Sequence, residues 1–168
     1  REKEASSREF FDLAIQVREL SHSHGVPLWI NDRLDIALAV EADGLHIGQS
    51  DLPAAVARRL MPPAMKLGVS AQTVEQAVQA ERDGADCLGV GAMFPTGTKS
   101  DAKPVSADEL RRIKQTVRIP IVAIGGINAS NLALPMRCGV DGVAVVSAIM
   151  AAPDPEAAAR ELREHVDA

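Results

Sequence analysis

Short apolar segments alternate along the chain with longer segments in which apolar residues recur at helical spacing. Six of the short segments have the length and apolar content of buried strands. They are PLWIN (27–31), GLHIG (44–48), KLGVS (66–70), DCLGVG (86–91), PIVAIG (120–125) and DGVAVVS (141–147). Helical periodicity is found at about residues 7–24, 34–42, 52–61, 73–83, 106–116, 129–138 and 154–166. This alternation predicts a parallel sheet that is covered by helices or closed into a barrel.

The ends of the predicted helices carry residues that satisfy unpaired backbone groups. Thr73-x-x-Gln76 and Ser106-x-x-Glu109 have the spacing of capping boxes, in which each side chain accepts a hydrogen bond from the other residue's backbone amide. Pro135 lies inside the helix predicted at 129–138 and is expected to shorten or kink it. Glycines suited to a left-handed helix end follow three of the helices, at Gly25, Gly84 and Gly139.

A short motif recurs where a helix ends and the next strand begins. The segments ADGLHI, ADCLGV and VDGVAV each place an aspartate at this junction, at Asp43, Asp86 and Asp141. Successive predicted strands begin on the order of 23 residues apart, which suits strand-loop-helix-loop units. The sequence is therefore built from one recurring unit.

Two architectures join parallel strands through helices: an open doubly wound sheet and a (β/α)8 barrel. An open nucleotide-binding sheet is expected to carry a Gly-x-Gly-x-x-Gly turn after an early strand, and the sequence has none. Polar residues follow all six predicted strands, as in barrels whose sites are built from every strand-to-helix loop. The pattern therefore predicts an α/β fold of the (β/α)8 TIM-barrel type. Because only six strands are visible, we expect residues 1–168 to be one barrel domain that lacks strand material upstream of Arg1.

Composition excludes several classes of function. The 168-residue chain has a formal net charge of −5, one Trp, three Phe and no Tyr, so it lacks the basic surface and stacking side chains of a nucleic-acid-binding protein. No apolar run approaches the ~20 residues that cross a bilayer. Cys87 and Cys138 have no metal-binding spacing and do not resemble a disulfide framework. We expect a cytoplasmic protein with neither nucleic acid nor membrane as a partner.

Asp32 and Asp51 follow two adjacent predicted strands, so their carboxylates are expected to converge. Mg²⁺ is commonly held by one or two carboxylates together with substrate phosphates. Each aspartate also precedes a predicted helix, where an Asp is an ordinary N-cap. For either aspartate taken alone, we favour the helix-cap interpretation. The two aspartates considered together indicate a metal site.

Two loops late in the chain favour a phosphate group. Gly125-Gly126 follows one apolar strand, and Val146-Ser147 ends the next. In barrels, the loops after strands seven and eight commonly bind phosphate, because backbone amides and helix N-termini attract an anion. The alternative is that the glycine pair only makes a tight turn, and the order of the two loops favours phosphate.

The polar stretch FPTGTKSDA, residues 94–102, follows a buried strand. Lys99 lies between two hydroxyl-bearing residues and can neutralise charge on a leaving group, or it is a solvated surface lysine. Ser70 is either a phosphate or oxyanion donor or a cap of the helix at 73–83. No histidine has the spacing of a Ser-His-Asp triad.

These segments together closely resemble thiamine phosphate synthase. The segments that carry the resemblance are INDR (30–33), HIGQSD (46–51), GVSAQT (68–73), GVGAMFPTGTKSDA (89–102), VAIGGI (122–127) and GVAVVSAI (142–149). The resemblance spans nearly the whole chain in the family's order, and Phe-Pro-Thr-x-Thr-Lys is its most specific motif. The opening Arg1-Glu2-Lys3 is similar to the end of the family's Gln-x-Arg-x-Lys segment on the second strand. The resemblance thus implies that strand one and most of strand two lie upstream.

The resemblance implies a transferase of thiamine biosynthesis that joins a hydroxymethylpyrimidine diphosphate to a thiazole phosphate carboxylate. In the family, the diphosphate leaves first and the thiazole nitrogen captures the resulting pyrimidine cation. The resemblance implies Mg²⁺ at Asp32 and Asp51, with Lys99 and Ser70 as the catalytic residues. It also implies that the pyrimidine diphosphate is bound by Arg1, Lys3, Asn31, Ser70 and Lys99. The thiazole phosphate is assigned to Thr96, Gly97, Thr98, Gly126, Val146 and Ser147.

Two other functions are compatible with the same barrel. A thiazole tautomerase relative shares the phosphate site but is expected to have degenerate magnesium aspartates and a degenerate FPTxTK loop, and both are intact here. A non-catalytic phosphate-ligand-binding barrel would fit a chain that needs an upstream segment or N-terminal fragment as a partner to complete it. Homo-oligomerisation is compatible with all three functions.

Overall fold

The structure is a computed structural model that describes residues 4–97 and 104–167. It is an α/β structure with two compact units. The first contains the chain up to Val69 together with Arg82–Asp86, and the second contains Ser70–Glu81 and the chain from Cys87 onward.

Parallel strands and their connecting helices form the first unit. Strand β1 pairs with β2 in the register Trp29↔Gly44, and β2 pairs with β3 in the register Gly44↔Lys66. The buried side chains of Ile30, Leu45 and Leu67, one from each strand, belong to the core. Its elements are α1 (Ser7–Ser23), β1 (Trp29–Asn31), α2 (Leu34–Ala39), β2 (Gly44–Ile47), α3 (Ala54–Leu60) and β3 (Lys66–Ala71), whose last two residues belong to the second unit.

The second unit repeats this arrangement. Leu88 of β4 pairs with Ile121 of β5, and Val122 of β5 pairs with Gly142 of β6, again in parallel. Leu88, Ile121 and the α5 residue Leu110 are fully buried. Its elements are α4 (Val74–Arg82), whose last residue belongs to the first unit, β4 (Cys87–Val90), α5 (Ala107–Thr116), β5 (Ile121–Ile124), α6 (Ala133–Arg137), β6 (Gly142–Ala144), α7 (Ser147–Met150) and α8 (Pro155–Asp167).

Every predicted strand and every predicted helix is present, and the largest differences are at the late elements. The short helix α7 was not predicted, because the apolar run at 141–147 does not show where the strand gives way to a helix. Helix α6 has only five residues instead of the ten expected at 129–138. Pro135 lies within it, and the side chains of Asn128 and Asn131 bond to the backbone before it, which competes with helix formation.

The predicted capping boxes form only in part. The Gln76 amide donates to the Thr73 hydroxyl at 3.3 Å, but the Gln76 side chain accepts from the Gln72 amide instead of that of Thr73. The Glu109 amide donates to the Ser106 hydroxyl at 3.1 Å. The Glu109 carboxylate turns away to accept a hydrogen bond from Val74, at the start of α4. Both boxes were therefore half wrong, because each acidic or amide side chain has a competing backbone donor nearby.

A complete capping box that sequence reasoning did not identify starts helix α1. The Ser6 hydroxyl accepts from the Glu9 amide, and the Glu9 carboxylate accepts from the Ser6 amide at 2.9 Å. The left-handed glycines were correctly predicted, with φ of +68° at Gly25, +90° at Gly84 and +84° at Gly139. No helix in the described residues is both long enough and apolar enough to span a bilayer.

The aspartate of the repeated motif joins two strands in the same way each time. Its carboxylate accepts a hydrogen bond from an amide at or beside the start of the preceding strand, and its own amide donates to the carbonyl of that same residue. We call this reciprocal pair a strand clamp. The carboxylate bonds are Leu28 to Asp43 at 2.7 Å, Leu67 to Asp86 at 2.8 Å and Ile121 to Asp141 at 2.8 Å.

A basic side chain accompanies each strand clamp. The hydrogen bond with His22 is the largest influence on Asp43 and lowers the pKa of its carboxyl. Burial raises the pKa of Asp86 and Asp141, but the strand amide and the neighbouring cations outweigh it, so the pKa of both lies below the ordinary value. His22 is hydrogen-bonded to Asp43 at 2.7 Å, and the ion pairs are Lys66–Asp86 at 3.1 Å, Arg58–Asp86 at 3.2 Å and Lys114–Asp141 at 2.6 Å.

Candidate active site

In the first unit, Asn31, Asp32 and Asp51 lie at the carboxyl ends of neighbouring strands. The Asp32 amide donates to the His46 carbonyl at 2.8 Å, so pairing of β1 with β2 continues to this residue. The Asn31 side-chain amide donates to the Asp32 carboxylate. In the turn after β2, the Asp51 carboxylate accepts from the Gly48 amide at 2.7 Å. Asp32 and Asp51 therefore follow the carboxyl ends of two adjacent parallel strands, and the convergence of their carboxylates stays a prediction.

The helix-cap interpretation of the two aspartates is wrong. Arg33 is the N-cap residue of α2 and Pro53 that of α3, and neither makes a side-chain cap hydrogen bond. Asp51 instead closes the preceding turn. Asp32 has a φ of +66°, in the left-handed region that few residues other than glycine adopt, although Asp does so more often than most. Such a conformation is costly and is found disproportionately at functional sites.

The donor chemistry of this edge fits Mg²⁺. Within residues 4–97 and 104–167, no group of three or more His, Cys, Asp or Glu side chains is arranged to hold a metal. Two carboxylates and an amide side chain nevertheless suit an ion that keeps several waters and takes the rest of its ligands from substrate phosphates. Asp32 and Asp51 are the residues that would hold it.

In the second unit, the loop after β4 is fixed to the loop after β5. The Met93 amide donates to the Ile124 carbonyl at 3.0 Å, and the Phe94 amide donates to the Gly125 carbonyl at 3.0 Å. A Cβ on Gly126 would lie 2.6 Å from the Pro95 carbonyl oxygen, so only glycine allows this approach. The start of the FPTGTK stretch and the Gly125-Gly126 pair are therefore brought together.

The carbonyl oxygens of Gly125 and Gly126 both accept hydrogen bonds from nearby protein groups. The Gly125 carbonyl accepts from Phe94, and the Gly126 carbonyl accepts from the Asn131 side-chain amide at 2.9 Å. Because the N–H of a trans peptide points opposite to its C=O, the amides of Gly126 and Ile127 are directed away from these partners. Neither amide donates a hydrogen bond to another group in the part of the chain that the structure describes.

The other predicted contacts of the second unit lie at strand ends and in loops. Ser70 is in β3, one residue before its end, and it does not cap α4, because Thr73 accepts the capping hydrogen bond. Thr96 is half-buried and Gly97 exposed. Val146 is the N-cap residue of α7 and Ser147 its first residue, so the Ser147 amide is among those a helix start leaves unpaired. Arg1, Lys3, Thr98 and Lys99 lie outside the described residues.

The sequence profile described as thiamine monophosphate synthase matches residues 1–149. The chain belongs to the thiamine monophosphate synthase family. It is 58% identical over 164 residues to the thiamine-phosphate synthase of Chloroflexus aurantiacus, a match that covers 97% of this chain and 76% of that protein. It is also 58% identical over 167 residues to the thiamine-phosphate synthase of Moorella thermoacetica, covering 99% of this chain and 80% of that protein. The family consists of transferases of thiamine biosynthesis.

Solved structures agree with this assignment. The thiamine phosphate pyrophosphorylase from Pyrococcus furiosus has a TM-score of 0.93 and 42% identity, and the match covers 99% of this chain and 80% of that one. A 3-hexulose-6-phosphate synthase from Salmonella typhimurium has a TM-score of 0.71 at 19% identity, covering 93% of this chain and 79% of that one. At that identity only the fold is shared.

Sequence reasoning missed the residues that hold the thiamine monophosphate synthase loops in place. Gln72 donates to the Gly91 carbonyl at 3.3 Å, which links the end of β3 to the segment after β4. Asn131 holds the Gly126 carbonyl and also accepts from the Asn128 amide. The signal for Asn131 was its position three residues after Asn128 in a polar stretch that precedes a helix, a spacing typical of side-chain-to-backbone turns.

Proposed function

We propose that this chain is a thiamine phosphate synthase. It condenses 4-amino-2-methyl-5-hydroxymethylpyrimidine diphosphate with thiazole phosphate, or its carboxylate, and releases pyrophosphate. Membership of the family, established over nearly the whole chain with the candidate site motifs intact, is the observation that carries the proposal. The two loops joined after β4 and β5 support it, because one carries the FPTGTK stretch and the other the glycine pair.

Asp32 and Asp51 hold Mg²⁺ in this proposal, with Asn31 beside them as a contact to the pyrimidine diphosphate. The bound ion would neutralise charge on the departing diphosphate. The support is the position of both carboxylates at the ends of β1 and β2, where they are not used as helix caps. The left-handed backbone of Asp32 is a strained conformation of the kind retained for function.

The thiazole phosphate binds to backbone amides of the second unit. Within the described residues, the Gly126 amide has no protein acceptor, and the amides of Val146 and Ser147 lie at the start of α7. Amide groups of this kind favour an anion. Thr96, Gly97 and Thr98 complete the contacts of this substrate.

The bond between the pyrimidine methylene carbon and the diphosphate oxygen breaks first, and its electron pair leaves with the diphosphate. Lys99 and Ser70 stabilise the charge that develops on the leaving group, with Arg1 and Lys3 as further contacts. The thiazole nitrogen then forms the new carbon–nitrogen bond with the pyrimidine cation, and carbon dioxide is lost when the substrate is the carboxylate. Such a reaction depends on charge stabilisation more than on a general base.

The finer description of the fold is also part of this proposal. We propose one (β/α)8 barrel domain, with strand one and most of strand two contributed by residues upstream of this chain. The parallel strand-helix units and the greater length of the relatives support it. A cytoplasmic location stays a prediction.

The function is tested by mixing both substrates and Mg²⁺ with the protein and measuring thiamine phosphate. The Asp32→Ala/Asp51→Ala variant is the matched control and should lose activity while its circular dichroism spectrum is unchanged. If the folded wild-type protein forms no thiamine phosphate, the proposed function is wrong.

A further inference from the structure

Asn131 links the glycine loop to the turn that precedes α6. Its side-chain NH₂ donates to the Gly126 carbonyl at 2.9 Å, and its side-chain oxygen accepts from the Asn128 amide at 2.9 Å. One side chain thus bonds to both ends of the segment 126–128. Asn128 in turn accepts from the Ser130 amide and hydroxyl, which holds the turn itself.

The carbonyl held by Asn131 belongs to the peptide that joins Gly126 to Ile127. The N–H of that peptide is the Ile127 amide, which points to the opposite side of the peptide plane. Because glycine has no Cβ and Gly126 adopts a φ of +66°, its own backbone preference does little to fix this plane. The hydrogen bond from Asn131 holds the carbonyl of this peptide on one side.

We propose that Asn131 is a positioning residue for the thiazole phosphate. It holds the Gly126–Ile127 peptide so that the Ile127 amide, together with that of Gly126, is directed at the phosphate group. This inference rests on the proposed function for the identity of the ligand. Asn131 itself touches neither the phosphate nor the reacting atoms.

The chain offers well-matched variants for a test. Asn131→Ala removes both hydrogen bonds, whereas Asn131→Asp keeps the size and the acceptor for Asn128 but replaces the donor to Gly126 with an oxygen. Ser130→Ala is the control, because it removes a hydrogen bond of the same turn at 2.7 Å and leaves both Asn131 bonds in place.

The first measurement is steady-state kinetics in both substrates with Mg²⁺. We expect Asn131→Ala and Asn131→Asp each to raise the KM for thiazole phosphate about tenfold, the effect typical of losing one hydrogen bond to a charged ligand. The KM for the pyrimidine diphosphate should stay within about twofold, and Ser130→Ala should match the wild type. Equal changes in both KM values, or a wild-type KM in Asn131→Asp, would show that Asn131 has only a structural role.

The second measurement does not need turnover. Thiazole phosphate is titrated into ¹⁵N-labelled protein, and the amide resonances of Gly126 and Ile127 are followed. Both should shift on binding to the wild type, and the Ile127 shift should shrink in the folded Asn131 variants. Binding without turnover would refute the synthase function and leave the role of Asn131 intact; no response of Ile127 in a wild type that binds the ligand would refute the role of Asn131. No binding at all would refute both.

Discussion

The Phe94 amide donates a hydrogen bond to the Gly125 carbonyl at 3.0 Å, so the first residue of the FPTGTK stretch is attached to the glycine loop. After the stretch, the Val105 amide donates to the carbonyl of Ala92, which precedes Phe94 in the chain, at 2.8 Å. The segments before and after the stretch are therefore joined within the second unit. We infer that substitutions in the glycine loop will change the positions of Thr96 and Gly97.

Gly126→Ala tests this attachment. The new Cβ would lie 2.6 Å from the Pro95 carbonyl oxygen and 2.9 Å from the Phe94 Cβ, and the residue would be held at a φ of +66°. A left-handed conformation costs an L-residue about 1–2 kcal/mol before any clash is counted. We expect a free energy of unfolding lower by about 1–3 kcal/mol and a KM for thiazole phosphate raised about tenfold or more, measured by urea unfolding and initial rates.

Gly97→Ala is the matched control for stability. Among the residues that the structure describes, a Cβ at this position would meet nothing within 4 Å, so the free energy of unfolding should change by no more than about 0.5 kcal/mol. If Gly126→Ala were as stable as the wild type and equally active, the two loops would not be coupled in the way the structure indicates.

Lys99→Ala should lower turnover much more than it affects folding. Loss of one charge-stabilising group from a transition state typically costs about 10²–10³ in kcat. Initial rates at saturating substrates and a thermal unfolding curve check this, with Arg59→Ala as the control for loss of an exposed cation. A large decrease in melting temperature with normal turnover would instead assign Lys99 to the fold.

Asp86→Asn should weaken the fold in a pH-dependent way. Burial raises the pKa of Asp86, but the Leu67 amide, Lys66 and Arg58 together lower it by more. The pKa of Asp86 in the folded protein therefore lies below its value in the unfolded chain. The charged carboxylate therefore stabilises the fold above the unfolded pKa of about 4, and that contribution is lost as the pH falls through the folded pKa.

Urea unfolding at pH 7, 5, 4 and 3 measures this contribution. The variant should be less stable than the wild type by about 1–2 kcal/mol at pH 7, and the difference should shrink below about pH 4. Asp108→Asn is the control, since the side chain of Asp108 is 90% exposed and its ion pair should contribute little at any pH. A difference that stays constant down to pH 3 would mean that the charge of Asp86 is not what stabilises the clamp.

The order and type of the elements could be predicted from the sequence, because strand-length apolar runs and helical periodicity are local properties. Element ends were less predictable. Pro135 correctly predicted that α6 is short. The start of α6, however, depends on hydrogen bonds from the backbone to the side chains of Asn128 and Asn131. The Glu109 carboxylate could not be assigned to Val74 from the sequence, since the two residues meet only when the chain has folded.

The candidate site shows the same division. The positions of Asp32 and Asp51 after adjacent strands could be read from the sequence. That Arg33 and Pro53 are the N-cap residues instead could not, because this depends on where α2 and α3 begin. The direction of the Gly126 carbonyl is likewise a property of tertiary contacts. Sequence motifs indicate which residues belong to the candidate site, and the structure shows which other residues hold them in position.

The strand clamps lie at the amino ends of the strands, whereas the candidate site residues that the structure describes lie near or beyond the carboxyl ends. Substitutions that change the stability of the fold and substitutions that change substrate preference are therefore expected at different positions. An engineer could strengthen the clamp partners to gain tolerance for a later, destabilising change in the glycine loop. Substrate preference could in this way be changed at the carboxyl ends of the strands while the contacts that stabilise the fold at the amino ends are kept.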